Sequence, residues 1–311
     1  MNYLITGGAG FIGSHLAEQL VLQGHDVIIL DDLSTGDLSN IDQLKNVDVH
    51  IDTILNETLL RQLVAQCDGV YHMAASVGVK EVLSHVTRSM TNNLLGTEVV
   101  LNSCLEFGKR VLLASTSEVY GNSINVPFEE DGAIQFSNPC DIRWSYAYAK
   151  LSAEQAALAR NKEFGLDVVV CRLFNTIGPR QKPDFGMVVP RFIRQALSGK
   201  PITVYGDGEQ QRCFTDYRDT VASLILLFES DVSGEVVNIG SNNEISIIEL
   251  ARKIVDKAKS SSEITLQPFE DVYSVSSVDF TRRKPSTEKL NRITGYTAKH
   301  SLDDCLDKIL E

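Results

Sequence analysis

The sequence predicts an α/β fold: a doubly wound parallel sheet with a smaller second domain interleaved toward the C-terminus. Three observations support this prediction. Short, apolar, β-rich segments alternate with helical patterns over the first half of the chain. A glycine-rich turn joins the first strand to the first helix. The alternation weakens after Asn175, where prolines become frequent. Strands that alternate with helices form right-handed crossovers, and such crossovers build a parallel sheet covered on both faces.

The predicted elements follow one another with little connecting chain. The predicted strands span residues 2–6, 27–30, 47–51, 69–73, 110–114, 167–172 and 235–239. The predicted helices between them span residues 11–23, 59–66, 87–107, 146–164 and 219–229. Strands of this length with helices between them are typical of βαβ units.

The second domain is predicted from a change of pattern. Residues 178–214 contain Pro179, Pro183, Pro190 and Pro201, with a short strand at 202–204, and a helix follows at 247–258. Residues 219–240 again read as helix plus sheet strand. We therefore assign residues 1–177 plus about 213–240 to the first domain, and residues 178–212 plus about 241–311 to the second. The cleft between them is the expected site, because ligands of such sheets bind beyond the carboxyl ends of the strands.

Composition excludes several classes of function. The chain has 311 residues, 43% of them hydrophobic, which is enough for a sizeable core. Its net charge of −12 argues against nucleic acid or an anionic membrane as a partner. No apolar stretch approaches membrane-spanning length. The six cysteines form no CxxC pair and the histidines show no metal spacing, so we expect no metal site. Reduced thiols favour a cytoplasmic location.

The first chemical motif follows the first strand. Gly7, Gly10 and Gly13 open the first helix, with Phe11 and Ile12 between them. Glycines at this spacing allow a tight turn and a close approach of the backbone to a pyrophosphate. Asp31 and Asp32 end the second strand, where a carboxylate holds the ribose hydroxyls of NAD and repels the extra phosphate of NADP. The motif predicts a Rossmann-type NAD site; the alternative is a structural turn beside a solvated Asp pair.

The second and third motifs carry acid/base groups. Tyr146 and Lys150 lie four residues apart at the start of a helix, on one face. A nearby ammonium lowers the pKa of a phenol, so we expect Lys150 to make Tyr146 a usable base. Thr116 and Glu118 follow a strand. A hydroxyl there can bond a substrate hydroxyl and the tyrosine, and Glu118 is either a general acid/base or a solvated turn residue.

Taken together, these motifs resemble the extended short-chain dehydrogenase/reductases, specifically the NAD-dependent epimerase/dehydratase family that acts on nucleotide sugars. The resemblance covers essentially the whole chain. The motifs that carry it are TGGAGFIGSHL, DDLSTG, HMAASVGVK, NNLLGT, ASTSEVYG, YAYAK, RLFNTIGPRQ, VVPRFIRQAL, ITVYGDGEQQRCF and GEVVNIGS. So many ordered motifs are specific for the family and much less specific for the reaction.

The resemblance implies roles for individual residues. The NAD site implied by it comprises Gly7, Gly10, Phe11, Ile12, Gly13, Asp31, Asp32, Asp52, Ala74 and Lys150. The catalytic group comprises Tyr146, Lys150, Thr116 and Glu118. The substrate shell comprises Asn175, Val189, Arg191, Val204, Tyr205, Arg212 and Arg282. In that shell Asn175 and Arg212 would hold the diphosphate, since the arginine fork suits phosphate. The resemblance implies a nucleotide-diphosphate sugar as the substrate, with UDP as the expected nucleotide.

The reaction stays open at this point. The shared step is oxidation of the sugar at C4, which leads to loss of CO2 from a uronate, loss of water, or C4 inversion. Family epimerases typically carry a small residue at the place of Glu118, whereas decarboxylases and 4,6-dehydratases carry Glu. Glucose-type dehydratases have an Asp–Glu pair and mannose-type dehydratases share the Ser-Glu pattern found here. We favour UDP-glucuronate decarboxylation, with a UDP-sugar 4-epimerase, a 4,6-dehydratase and a non-catalytic NAD-binding protein as alternatives.

By the same resemblance, residues 87–107 and 146–164 would pack against their copies in a homodimer. The alternative is that both helices only cover the sheet. The sequence itself does not state the number of subunits.

Overall fold

The computed structural model describes residues 1–268 and 282–311. Its strands are, in chain order, β1 (Asn2–Thr6), β2 (Asp26–Asp31), β3 (Val47–Ile51), β4 (Gly69–His72), β5 (Arg110–Thr116), β6 (Val168–Leu173), β7 (Thr176–Ile177), β8 (Ile202–Tyr205), β9 (Gln211–Cys213), β10 (Thr215–Asp216), β11 (Glu235–Ile239), β12 (Glu244–Ser246), β13 (Ile264–Gln267) and β14 (Arg282–Arg283). Its α-helices are α1 (Phe11–Leu22), α2 (Glu57–Gln66), α3 (Val79–Ser84), α4 (Val86–Thr91), α5 (Thr97–Glu106), α6 (Ser145–Phe164), α7 (Val188–Leu197), α8 (Tyr217–Glu229), α9 (Ile247–Lys257), α10 (Glu288–Thr294) and α11 (Leu302–Leu310).

The main sheet has seven strands in the order β3-β2-β1-β4-β5-β6-β11, and every neighbouring pair is parallel. The predicted doubly wound parallel sheet is confirmed. The strand order reverses between β1 and β4, so the loops after these two strands diverge and leave a crevice at the carboxyl edge of the sheet.

The two faces of the sheet bury separate apolar cores. Along β1, Ile5 belongs to the core shared with α1, α8 and α10, whereas the adjacent Leu4 belongs to the core shared with α2, α5 and α6. This division follows from the two-residue period of a strand, which sends successive side chains to opposite faces. Both side chains are fully buried, as a central strand of a sheet covered on both faces requires.

One predicted helix is broken. Instead of a continuous helix over residues 87–107, the chain forms α4, a π-helical turn at Asn92–Gly96, and α5. Within that turn the Asn93 side chain accepts a hydrogen bond from the backbone N–H of Ser76 at 2.8 Å. A side chain at Gly96 would overlap Ile54. These are contacts with distant residues, so the local periodicity of the sequence carries no signal of the interruption.

The second lobe has its own core, formed where α7, α9 and α11 pack around the parallel pair β8 and β13. Helix α9 begins at a capping box, in which Ser246 and Glu249 satisfy each other's backbone N–H groups. Helix α10 is an exception to the predicted boundaries, because Leu290 packs in the core of the main sheet with α8. The division at residues 177, 212 and 240 otherwise stays a prediction. Among the described residues, no helix is long and apolar enough to span a membrane.

Candidate functional site

A cavity opens at the carboxyl edge of the main sheet, where the strand order reverses. It runs from the loop after β1, past the ends of β2 and β4, to the end of β5 and the start of α6, and its far wall comes from the second lobe. All ten residues predicted for the NAD site and all four predicted catalytic residues line it. These thirteen different residues come from six separate segments of the chain.

The glycine loop forms one end of the cavity. Gly7 has a φ of +74°, and a side chain there would lie 2.8 Å from the backbone of Ala74. A side chain at Gly13 would overlap the carbonyl of Gly7. Gly10 is the N-cap residue of α1, so the free N–H groups of the first turn face the cavity. Glycine is required here by backbone geometry, and the loop that results has the shape and the free N–H groups that the predicted pyrophosphate site needs.

Three aspartates line the cavity beyond the glycine loop. Asp31 is buried and accepts hydrogen bonds from the backbone N–H groups of Ala9 at 2.9 Å and Leu33 at 2.8 Å. Burial raises the pKa of its carboxyl, and these backbone donors oppose the rise. Asp32 accepts from Ser34, and Asp52 accepts from Asn56. The hydrogen bond from Ala9 to Asp31 thus stabilises the glycine loop. The wall formed by the three aspartates fits the ribose hydroxyls of NAD better than the extra phosphate of NADP.

The proposed catalytic group lies where β5 ends beside α6. Tyr146 forms a hydrogen bond with Thr116. The Lys150 ammonium donates to the carbonyl oxygen of Ala114 at 2.8 Å. Burial lowers the pKa of Lys150 to about 8, and the charge of Glu154 partly opposes this.

The electrostatics of Tyr146 differ from the prediction. Burial raises the pKa of its phenol, the Glu118 carboxylate raises it further, and the hydrogen bond with Thr116 opposes both. We expected Lys150 to be the group that lowers this pKa. Its amine is instead turned to a backbone carbonyl, and Thr116 is the described contact that favours the phenolate.

Glu118 is held between two arginines. One carboxylate oxygen accepts from Arg283 at 2.8 Å, and the other accepts from Arg143 at 3.3 Å. Burial raises the pKa of Glu118, but the two guanidinium groups outweigh burial and hold the pKa at about 2. The carboxylate is therefore ionised at neutral pH, so it is a poor proton donor. An ionised carboxylate can accept a proton, so the general acid/base role predicted for Glu118 stays a prediction, and its two ion pairs orient Arg143 and Arg283.

The predicted substrate shell is only partly assembled in the cavity. Asn175 and Val189 line the wall that comes from the second lobe, and Asn175 donates to the carbonyl of Cys213 at 3.1 Å. Arg191 stacks on Tyr205, with its guanidinium 3.9 Å from the ring centroid. Both lie outside the lining of the cavity within the described part of the chain.

Three residues of that shell lie elsewhere. Val204 is fully buried in the core of the second lobe, because it alternates with the half-buried Thr203 and Tyr205 along β8. Arg212 is buried in β9 and donates to the carbonyl of Gln211 at 2.8 Å. Arg282 pairs with Glu244 at 2.6 Å on the surface and lies outside the described lining of the cavity, so its place in the substrate shell stays a prediction.

Sequence reasoning missed Arg283 and Arg143. Arg283 follows Arg282 in β14, and adjacent residues of a strand point to opposite sides, so only one of the two arginines can face the cavity. The sequence does not indicate which of the two arginines faces the cavity, because the pairing of β14 with β9 decides to which side each of them points. Arg143 precedes Tyr146 by three residues, and this spacing ahead of the helix could have indicated it.

Sequence reasoning also missed a segment at the mouth of the cavity. Residues 179–182 form a strap that links α1 to the loop after β2. Arg180 pairs with Glu18 of α1 at 2.7 Å, and Lys182 donates to the carbonyl of Gly36 at 3.0 Å. Arg180, Gln181 and Lys182 line the cavity. No group of three or more His, Cys, Asp or Glu residues in the described ranges is arranged to hold a metal ion.

The chain is similar to several known proteins. A profile of the NAD dependent epimerase/dehydratase family matches residues 3–240. The UDP-N-acetyl-alpha-D-glucosaminuronate decarboxylase of Bacillus cytotoxicus is 41% identical over 99% of this chain and 96% of its own length. UDP-glucuronic acid decarboxylase 1 of Xenopus tropicalis is 36% identical over 99% of this chain and 70% of its own length. The crystal structure of UDP-glucose 4-epimerase from Thermotoga maritima with UDP-glucose superposes with a TM-score of 0.91 at 28% identity, covering 100% of this chain and 97% of that one.

Proposed function

Because the chain belongs to the NAD-dependent epimerase/dehydratase family, we propose that it decarboxylates a UDP-linked hexuronate, with UDP-glucuronate as the favoured substrate. The chain is an NAD-dependent nucleotide-sugar enzyme. Its glycine cradle and the free N-terminus of α1 fit the pyrophosphate of NAD. Bound NAD supplies the acceptor for the C4 hydride, and the chain's own residues must orient the sugar and move its protons.

The observation that carries this proposal is the Glu118–Arg283–Arg143 cluster beside Tyr146. Two guanidinium groups and one carboxylate leave a net positive charge at the end of the cavity where the sugar must lie. A uronate brings a C6 carboxylate, which matches an arginine fork. A neutral hexose, the substrate of a 4-epimerase, has no group of that charge.

The chemistry then follows in three steps. Tyr146 takes the proton of the C4 hydroxyl as the hydride leaves C4, which gives a 4-keto uronate. The C5–C6 bond breaks, CO2 departs, and its electron pair forms an enolate with negative charge on the C4 oxygen. That enolate lies within reach of the cationic cluster and of the Tyr146 hydroxyl, and fixed charges of this kind stabilise developing negative charge. C5 then takes up one proton from solvent water to give the 4-keto pentose.

We further propose that the nucleotide lies along the second lobe. Asn175 and Val189 line the cavity on that side, and the stacked Arg191 and Tyr205 offer a guanidinium and an aromatic face next to it. A guanidinium suits a diphosphate and an aromatic ring suits a base. Arg212 is retained as a diphosphate ligand only if it can leave its backbone contact with Gln211.

An N-acetylated uronate is a second candidate substrate. The relative at 41% identity, which this chain matches over 96% of its length, is named for UDP-N-acetyl-alpha-D-glucosaminuronate. The acetamido group lies at C2, so oxidation at C4 and loss of CO2 proceed in the same way. The two candidates differ only in the space required beside C2.

The first test is substrate conversion by the NAD-loaded protein. UDP-glucuronate, UDP-N-acetylglucosaminuronate and UDP-glucose are incubated separately and each product is read by mass spectrometry and NMR. We expect loss of CO2 from one of the uronates. Interconversion of UDP-glucose and UDP-galactose without any release of CO2 would overturn the decarboxylase proposal in favour of a 4-epimerase.

The second test uses the adjacent arginines as a matched pair. Arg283→Ala should reduce decarboxylation by about 10²–10³-fold, the usual cost of removing one donor that stabilises transition-state charge. Arg282→Ala removes the same side chain from the same strand but only a surface ion pair, so its activity should stay near that of the wild type. Equal activity of the two variants would remove Arg283 from the site.

We also propose that the protein is a cytoplasmic homodimer. The six cysteines are free, which suits a reducing compartment. Helices α5 and α6 pack against each other, and each exposes a polar side chain near its middle, Asn102 on α5 and Gln155 on α6. Light scattering after size-exclusion chromatography tests the subunit number, and a single-chain mass would contradict the dimer.

A further inference from the structure

Three consecutive residues tie the end of strand β5 to helix α6. The carbonyl of Ala114 accepts from Lys150, the hydroxyl of Ser115 donates to the Glu154 carboxylate, and Thr116 forms a hydrogen bond with Tyr146. The first and third contacts involve the proposed catalytic pair. The second involves Glu154, which has no part in the mechanism derived above.

Glu154 is a charged group in an apolar interior. Its side chain is 0% exposed, and the adjacent side of α6 packs Ala153 and Ala157 into the core under the sheet. A carboxylate in such a place is tolerated only when it is paired and hydrogen-bonded. Arg172 provides the pair, with Nη2 at 2.7 Å from one oxygen and Nε at 3.0 Å from the other.

Arg172, the partner of Glu154, is itself held in place by its strand and by two further contacts. Arg172 lies on β6 directly opposite Ser115 in the parallel register. Its remaining terminal nitrogen donates to the carbonyl of Glu130 at 3.0 Å, and its guanidinium stacks 4.8 Å from the centroid of the Tyr120 ring. The Glu154 carboxylate is therefore held from two neighbouring strands at once.

Helical spacing places this carboxylate in line with the catalytic pair. Tyr146, Lys150 and Glu154 recur every four residues and occupy one face of α6. Glu154 is thus one turn from the Lys150 ammonium, on the side away from Tyr146.

We propose that Glu154 is a positioning residue for the reaction, which locks the strand end that carries Thr116 to α6 and supplies the negative charge that keeps Lys150 an ammonium. This inference rests on the proposed roles of Tyr146 and Lys150. Burial alone would favour the neutral amine, and Glu154 is the described charge that opposes burial at Lys150.

The other charges around Lys150 do not replace Glu154. His72 at the end of β4 is fully buried, and burial and Lys150 lower its pKa to about 3, so it is neutral. Arg88 of α4 is paired with Glu81, and Glu98 of α5 is paired with Arg160. Apart from Tyr146 on α6 itself, the other titratable or charged groups on the described elements packed against α6 are Glu118, Tyr120, Arg143, Arg172, Cys171, Arg110, Cys104 and Glu106.

The test is a direct titration of Lys150 in the NAD-loaded protein. Lysine is labelled with ¹³C at Cε, and the Lys150 resonance is assigned by its absence from a Lys150→Arg variant. Glu154→Gln keeps the shape and removes the charge, so the titration midpoint of Lys150 should fall by about one pH unit. One limb of the pH–rate profile should move to lower pH by the same amount.

A matched variant separates this role from a structural one. Arg172→Lys weakens the same buried pair but keeps the charge of Glu154, so the Lys150 midpoint should stay near the wild-type value. If Glu154→Gln does not fold, Glu154→Gln with Arg172→Met replaces the pair by neutral residues, a change that proteins often tolerate. The same downward shift is expected there.

An unchanged Lys150 midpoint in a folded variant without Glu154, or an equal shift in Arg172→Lys, would overturn the proposal. Failure of both Glu154 variants to fold would also overturn it, because Glu154 would then be purely structural. A wild-type protein that releases no CO2 would remove the proposed function and leave this titration intact, so the two failures are distinguishable.

Discussion

Tyr146 is the residue on which the proposed chemistry depends most directly. Tyr146→Phe removes the hydroxyl that bonds Thr116 and should leave the NAD cradle unchanged. We expect activity to fall by about 10²–10⁴-fold, the usual worth of a positioned acid/base, while NAD binding measured by calorimetry stays near wild type. Tyr148→Phe, on the same helix but packed against Phe136, is the control and should stay active. Full activity of Tyr146→Phe would exclude it as the base.

Single residues could be predicted where their role depends on local spacing. The glycine loop and the Tyr146–Lys150 pair are of this kind, because strand, turn and helix are contiguous in the chain. The choice between Arg282 and Arg283 shows the opposite case, since the side to which each residue of a two-residue strand points is set by a partner strand far away in sequence. The charge state of Glu118 also needed the structure, because it depends on two arginines from different segments.

At the scale of elements, the 179–182 strap closes one side of the NAD end of the cavity. Lys182→Ala removes its hydrogen bond to Gly36 and its ion pair with Asp37. Lys182 and Asp37 are both partly exposed, so the loss should be about 1 kcal/mol at most, which corresponds to an increase in the Kd of NAD of at most about five-fold. Fluorescence titration with NAD measures this, with the exposed Lys200→Ala as control. An unchanged Kd would mean that the strap does not retain the cofactor.

Helices and strands, like single residues, could be predicted where local sequence determines them and not where long-range contacts do. Strands β1, β3 and β11 match their predicted bounds. Strands β1 and β11 are mostly apolar, whereas β3, with the sequence VDVHI, alternates apolar and polar residues. The π-helical turn at Asn92–Gly96 could not be predicted, because its cause lies in Ser76 and Ile54 rather than in the turn. Long-range contacts thus override local periodicity at an element that contributes Asn92 to the cavity wall.

At the scale of the whole molecule, the chain crosses between the two lobes repeatedly. The alternation of strands and helices predicted the main sheet, and the loss of that alternation predicted the second lobe. This pattern did not predict that α10 packs on the main sheet, because the sequence of one amphipathic helix of seven residues does not indicate which of the two lobes it packs against. The cavity lies where these crossings bring the lobes together, so its geometry depends on the integrity of the whole chain.

Asp219 joins the last segment of the chain to helix α8 and through it to the main sheet. Its buried carboxylate accepts from the Tyr296 hydroxyl at 2.7 Å and from the backbone N–H groups of Lys299 and His300 at 3.0 Å each. Burial raises its pKa, but these hydrogen bonds outweigh burial and hold the pKa below its ordinary value. The carboxylate therefore stabilises the fold at any pH above the pKa of the unfolded chain, about 3.9.

Asp219→Asn presents an amide to donors that need an acceptor, so it should lower the free energy of unfolding at pH 7 by about 1–3 kcal/mol. The difference from wild type should shrink as the pH falls below about 4, because the carboxylate of the unfolded chain then takes up a proton while the folded one, whose pKa is lower, stays ionised. The contribution of the carboxylate is fully lost only below its folded pKa. Urea titrations of Asp219→Asn and the wild type, at pH 7 and at a pH below about 4, measure the difference in the free energy of unfolding at each pH. Asp231→Asn, in an exposed turn, should change neither. A loss for Asp219→Asn that is the same at both pH values would show that packing of the side chain, and not its charge, holds the C-terminal segment on α8.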